Sequence, residues 1–557
     1  MRKGFDDFPE KPLHLKAMYR KRLTDQMEFL DFYLPFGGRL DKGNRWAKLA
    51  ELIPWDTVEE HYQGQLAETG MGAPAKSGRV AFGALPIKER LGVTDEETVE
   101  QIKENPYLQC FIGMREYRDE APFDPSMMVH FRSRFKQDDF TAINDEIVSK
   151  ATDRINSMNT DGEPADSPEP AGSPEPDAKP EPDSEPRKGK LIIDATCAPA
   201  DITYPTDLKL LGEAREKTEK IVDLLHAPLK GRVKKPRTYR QQARKRFLAI
   251  AKAKKPGAKK RRKAIGQQLG YIRRNLGHVD ALLKQGASLS QLKAYDYKCL
   301  LVVHTLYEQQ LEMRRRRKRR ADDRIVSISQ PHVRPIVRGK AGRPVEFGAK
   351  LSASCADGFV HLERLSWDSF NEGGDLQMQV EQYRRRHGHY PESVHADKIY
   401  RTLANRKYCK KKRIRLSGPP LGRPRKPSTE NRDELEALKR QAYEDEVARI
   451  PIEGKFGNCK RKGTLARVMA KLAHTSESVI NIAFIALNLD TALRGLLFRL
   501  YWQLRSKLEQ ALEALMARMG RSLKFGYRYS QIYSSSSGVE STFFGRPNRQ
   551  SDFFRKP

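Results

Sequence analysis

Cysteine is scarce in this chain: six residues in 557, Cys110, Cys197, Cys299, Cys355, Cys409 and Cys459, with no C-x-x-C pair. Scattered single thiols supply no disulfide framework and fit a reducing compartment. His387, His389 and His395 with Cys409 match no compact zinc-finger spacing. No Gly-x-x-x-x-Gly-Lys-Ser/Thr loop occurs, so no nucleotide cofactor is expected, and no Gly-x-Ser-x-Gly elbow points to a serine hydrolase. The start, Met1-Arg2-Lys3-Gly4-Phe5-Asp6-Asp7, lacks the apolar core of a signal peptide. The longest apolar run, Val479 to Leu489, contains Asn481 and Asn488 and is shorter than the ~18–20 residues of a membrane span. These absences lead to the expectation of a soluble cytoplasmic protein with no membrane partner.

Acidic residues also disappear locally. Between Lys230 and Lys263 there are 17 Lys and Arg and no Asp or Glu. The whole chain carries a net charge of +32 and a pI near 9.8. Like charges at that density repel, and phosphate contact offsets the repulsion while releasing counterions. A polyanion is therefore the expected partner, and a merely basic, ribosomal-type protein the plain alternative.

The chain reads as several regions. Residues 1–160 carry helical spacing, with Thr94-Asp95-Glu96-Glu97 as an N-cap. Residues 161–187 form an acidic linker; 161–186 hold eight prolines, nine acids and one lysine and cannot bury apolar area, so disorder is expected. Residues 188–206 and 327–490 alternate strands and helices: a strand over 190–196, a hairpin through Asp357-Gly358, a helix over 375–386 and a short strand over 393–397. Short elements follow at 402–411, 413–416 and 434–448, which together give an α/β mixed sheet with helices. Residues 207–326 form a basic helical insertion after the first strand, and 491–557 a C-terminal amphipathic helix, placed over 493–519, with a flexible tail.

Three carboxylates stand in contexts that can deliver them to one place. Asp194 ends the apolar run Leu191-Ile192-Ile193, Asp397 ends Ser393-Val394-His395-Ala396, and Glu453 lies in Arg449-Ile450-Pro451-Ile452-Glu453-Gly454-Lys455. Two strands ending in aspartate place both acids at one sheet edge, and a helix across that edge adds the third. Magnesium takes oxygen ligands, and two such ions about 3.5–4 Å apart clamp the attacking and leaving oxygens of a phosphoryl displacement. Asp194 would then serve both ions, and Asp397 and Glu453 one each. Manganese is expected to substitute. On a continuous helix Arg449 and Lys460 share the face of Glu453 and could hold a phosphodiester. Singly, each acid is more often a turn residue, and Arg449 with Glu453 an ordinary i,i+4 ion pair.

Longer blocks add to this reading. Ile87-Lys88-Glu89-Arg90-Leu91-Gly92, Glu104-Asn105-Pro106-Tyr107-Leu108-Gln109, Asp194-Ala195-Thr196 with Tyr204-Pro205-Thr206-Asp207-Leu208, Ala396-Asp397-Lys398-Ile399-Tyr400-Arg401 and Ile452-Glu453-Gly454-Lys455-Phe456-Gly457 through Lys460-Arg461 together resemble DDE-type transposases of bacterial insertion sequences. The likeness is greatest to the insertion-sequence-five family and its near relatives. It implies an RNase H-like catalytic fold, a separate helical N-terminal domain that binds element ends, magnesium dependence, and cleavage at terminal inverted repeats of double-stranded DNA. Joining of the freed 3′-hydroxyl to target DNA by a homo-oligomer, associated with the bacterial nucleoid when on DNA, would follow. Related transposases carry Tyr, Arg, Glu and Lys at fixed spacing around the glutamate; Arg449, Glu453 and Lys460 fit, whereas Glu446 fills the tyrosine slot and Tyr443 lies one turn earlier. A metal-dependent nuclease without strand transfer, and a non-catalytic DNA-binding derivative of a transposase, are the alternatives.

Overall fold

The structure, a computed structural model, describes residues 32–34, 37–66, 74–160, 187–318, 320–340, 343–419 and 432–518. The acidic linker up to residue 186 and the tail from 519 lie outside them. The N-terminal region is helical, as its spacing predicts: α1 (Arg45–Leu52), α2 (Trp55–Gln63), α3 (Gly78–Leu91), α4 (Asp95–Glu104), α5 (Pro106–Phe111), α6 (Met127–Arg134) and α7 (Gln137–Thr160). α4 begins where Thr94 accepts the Glu97 N–H at 3.2 Å, and three acids in its first turn complement the helix dipole.

One mixed sheet organises the rest. Its strands are β1 (Lys190–Pro199), β2 (Arg334–Lys340), β3 (Arg343–Ala356), β4 (Phe359–Ser366), β5 (Ser393–Ala396) and β6 (Arg415–Leu416). β1 is central, antiparallel to β3 and parallel to β5, which is parallel to β6. The outer edge of β3 pairs with β2 along its first half and with β4 along its second. Asp357 and Gly358, at φ 49° and 81°, make the β3–β4 turn that the sequence predicts.

Two expectations shift. β1 does not stop at Thr196: its pairing with β3 runs on to Pro199 opposite Gly348, so Asp194 sits mid-strand rather than at a strand end. β2 is a strand the sequence does not announce, since Pro335 and Gly339 interrupt it; the proline is tolerated on this outermost strand.

Between β1 and β2 lie α8 (Asp207–His226), α9 (Arg240–Ala251), α10 (Ala258–Lys284) and α11 (Ala294–Arg315). This insertion has its own apolar core, with Leu211, Ala214, Ile272, Val303 and Leu306 fully buried. α12 (Leu376–His387), α13 (Leu403–Lys411), α14 (Arg432–Val447), α15 (Ile450–Lys462) and α16 (Ala473–Arg518) complete the fold. α12 covers one sheet face through Leu376 and Val380 against Leu191 and Ile193; α15 and α16 cover the other through Ile452, Phe456 and Phe484 against Leu351 and Ala353.

α16 starts 20 residues before the expected Leu493, because the run Val479 to Leu489 is its buried face. It is long and apolar enough to cross a membrane by length and composition, yet 67% of that window is buried inside the fold, as in a core helix. Asn488 explains one polar break in the run. It accepts the Val360 N–H at 2.9 Å and donates to the Val360 carbonyl and to Asn144 Oδ1 of α7. The described residues up to Arg494 form one compact unit that holds both the helices before residue 160 and the sheet. The described residues from Gly495 onward belong to a second unit, with Phe498, Tyr501, Leu504 and Leu508 exposed.

Candidate active site

β1 delivers Asp194 to the sheet face covered by α15. Opposite it in register is Ala353, whose small side chain leaves room above the strand. Among the described residues, its Oδ1 accepts only the N–H of its own neighbour Ala195, at 2.8 Å. Burial with so little compensation pushes the carboxyl from 3.8 up to about 6; the Arg449 charge draws it back, while Glu453 and Glu372 add to the rise.

Asp397 follows β5 and caps the 3₁₀ turn Lys398–Tyr400, its Oδ1 accepting the Lys398 N–H at 2.7 Å. α15 carries the third acid. Pro451 occupies its first turn, where a missing N–H costs nothing, and the helix runs unbroken through Gly454 and Gly457. Glu453 therefore lies in the first turn, one helical turn beyond Arg449.

Arg449 is the hub. Its guanidinium stands 3.8 Å from Asp397 and 3.8 Å from Glu453, and its buried Nε has no hydrogen-bond partner among the described residues. Lys460, two turns on from Glu453, donates to Thr196 Oγ1 at 2.9 Å, two residues along β1 from Asp194. The structure thus brings all five sequence-derived residues into one neighbourhood. The acids are not drawn tight: among the described residues, no group of three His, Cys, Asp or Glu is arranged to hold a metal ion.

The residue types nonetheless fit a hard divalent cation. The donors are carboxylate oxygens, as such ions require. The poorly compensated Asp194, and a guanidinium held between the other two acids, both mark a place that favours positive charge.

This charge state has a measurable consequence. The folded pKa of Asp194 lies above its unfolded value, so its contribution to stability is complete below about pH 4 and is lost as pH rises through about 6. Asp194→Asn should therefore stabilise the metal-free protein at about pH 8 by roughly 1–3 kcal/mol, given ~1.4 kcal/mol per pKa unit. Added magnesium should raise the melting temperature of the natural chain and not of the variant. Thermal denaturation at the two pH values checks both; a variant less stable at the higher pH would count against this environment for Asp194.

Several residues around the site gave no sequence signal. Glu372, in the 3₁₀ turn Glu372–Gly374, lies near enough to raise Asp194 and is paired with Lys350 of β3 at 2.8 Å. On α14 the inward residue is neither Tyr443 nor Glu446, which are exposed, but buried Asp445. It meets Arg415 of β6 at 2.8 Å and His395 of β5 at 3.5 Å, and so ties α14 to the strand end that precedes Asp397. Glu89 of α3, also buried, accepts the Thr464 N–H and hydroxyl, each at 2.8 Å, just beyond the end of α15. A buried acid contacting a segment 375 residues away cannot be read from local spacing.

Comparison with known proteins finds two transposase-family segments in the chain. Residues 394–490 match the family described as transposase DDE domain, and residues 35–134 match the family described as transposase domain DUF772. The expected resemblance to insertion-sequence transposases is thereby borne out. The DDE segment contains Asp397, Arg449, Glu453 and Lys460; Asp194 lies outside both matched segments. An uncharacterised protein, ORF8 in the nfe locus of Rhizobium meliloti, is 38% identical over 87 residues, 16% of this chain. The match spans 41% of that protein's length. No solved structure matches the chain.

Proposed function

We propose that this protein is an insertion-sequence transposase that binds double-stranded DNA at terminal inverted repeats, cleaves phosphodiester bonds there and joins the freed 3′-hydroxyl to target DNA. The observation that carries the reading is Arg449 3.8 Å from both Asp397 and Glu453, all three inside a transposase DDE segment, with Asp194 near enough to feel the charges of Arg449 and Glu453. An RNase H-like arrangement is supported by a central first strand with an antiparallel hairpin on one side and two parallel strands on the other.

Asp194, Asp397 and Glu453 would hold one or two magnesium ions, with manganese as a substitute. Bound there, such an ion supplies Lewis-acid polarisation of a phosphoryl oxygen and lowers the pKa of a water. The chain's own part is to fix the three acids on a rigid sheet and helix, to aim Arg449 and Lys460 at a phosphodiester, and to hold DNA on basic surface outside the site. The N-terminal helices (1–160) and the basic insertion (207–326) would grip DNA, the remainder (188–206 and 327–490) would perform the chemistry, and aligning two ends would require a homo-oligomer. A cytoplasmic, nucleoid-bound location goes with that role.

A donor-end assay tests the proposal. Oligonucleotides carrying the inverted repeat that flanks the gene, incubated with magnesium and a supercoiled target, should yield both cut ends and joined products. Cut ends without joined products would assign a nuclease of the same fold, and binding without cutting a non-catalytic derivative.

A further inference from the structure

The insertion between β1 and β2 carries a feature that net charge does not explain. Tyr239, the residue before α9, adopts a left-handed backbone conformation, with φ 53° and ψ 33°. A bulky residue pays a steric cost there that glycine or asparagine would avoid. The conformation turns the chain out of the basic loop into α9 and leaves the tyrosine 48% exposed.

Its ring is the outer layer of a stack. The Arg274 guanidinium of α10 lies 4.8 Å from the Tyr239 ring centroid and 5.6 Å from that of Tyr271; the Arg246 guanidinium lies 5.9 Å from Tyr271. Tyr271 is buried and anchors the inner end. The support below is pinned as well: Asp223 binds Lys235 at 2.8 Å and Arg240 at 2.9 Å on either side of Tyr239. Among the described residues, Lys234, Arg237, Arg244 and Arg273 have no acidic partner, so cations on this surface are left for another ligand.

A strained, half-exposed aromatic backed by a guanidinium, in a segment rich in exposed cations, has the chemistry of a stacking platform. Every nucleobase has a π-face to add as the next layer, and the neighbouring cations suit the flanking phosphates. A paired base inside a duplex has no free face, so the base must be unpaired. We propose that Tyr239, supported by Arg274, stacks one unpaired DNA base, with its phosphates on Lys234, Arg237 and Arg273. The proposal rests on the reading of the insertion as DNA-bound and is independent of whether the protein cuts or joins.

The test uses the full chain, without metal, and a DNA duplex with a single unpaired 2-aminopurine. The natural protein and Tyr239→Trp should quench its fluorescence on binding. Tyr239→Ala should not, and its affinity for this DNA should fall about tenfold or more, the scale of one base–aromatic stack. Its affinity for the same duplex fully paired should stay within about twofold, since phosphate contacts carry that binding. Quenching retained by Tyr239→Ala, or equal loss on both DNAs, overturns the proposal, as does binding by the natural protein with no quenching. A natural protein that binds neither DNA would overturn the proposal together with the DNA-bound reading beneath it; unaffected binding beside failed cleavage would leave it standing.

Discussion

Asp194→Asn is expected to lower DNA cleavage by at least about 1,000-fold, equivalent to roughly 4 kcal/mol of transition-state stabilisation. DNA affinity should change little. The exchange keeps the side chain's size and its acceptor for the Ala195 N–H, and removes only the charge. Asp194 is the half-buried member of the three acids, Asp397 and Glu453 being exposed, so its charge is the one the fold holds at most cost. Cleavage should fall comparably in Asp397→Asn and Glu453→Gln, because residues acting as a unit are strongly non-additive. Gel assays of end cleavage beside filter binding of the same DNA measure the two quantities. Cleavage within about tenfold of the natural chain would remove Asp194 from the chemistry.

The second large effect is expected far along the chain. Glu89→Ala should destabilise the protein by roughly 2–4 kcal/mol, since it strands a partly buried backbone N–H and a hydroxyl at Thr464. Burial raises the pKa of Glu89, opposed by those two hydrogen bonds, so the acid is costly to keep and its partners matter. The turn it holds follows α15, whose Glu453 and Lys460 face the site. Cleavage should therefore fall with stability in Glu89→Ala, while Glu89→Gln, which retains one acceptor, should lose less of both. Gly463→Ala should act similarly, because an added Cβ would meet Glu89 and the Cys459 carbonyl. Denaturant midpoints alongside cleavage rates check this; an unchanged midpoint in Glu89→Ala would show that the contact is not maintained in solution.

Local chemistry made much of the architecture legible. Thr94 capped its helix, Asp357-Gly358 turned its hairpin, and the alternating run after Asp357 became β4. Pro451, which either interrupts a helix or starts one, starts α15, because a first-turn proline loses no hydrogen bond. The errors came from long-range effects. β1 runs past Thr196 because β3 continues to pair with it, and β2 exists because β3 offers a long outer edge. α16 was divided at Leu493 because its buried apolar half and its polar breaks at Asn481 and Asn488 hid one helix. Asp194, Asp397, Arg449, Glu453 and Lys460 were singled out as candidates through motif context. Glu372, Asp445 and Glu89 were not, since each acts through a partner distant in sequence.

Manganese binding reports on the three carboxylates themselves. Electron paramagnetic resonance of Mn2+ titrated into the natural chain should show protein-bound ion, and Asp194→Asn, Asp397→Asn and Glu453→Gln should each weaken it, with the triple substitution abolishing it. Bound manganese unchanged in the triple variant would contradict the claim that these three carboxylates form one cation site.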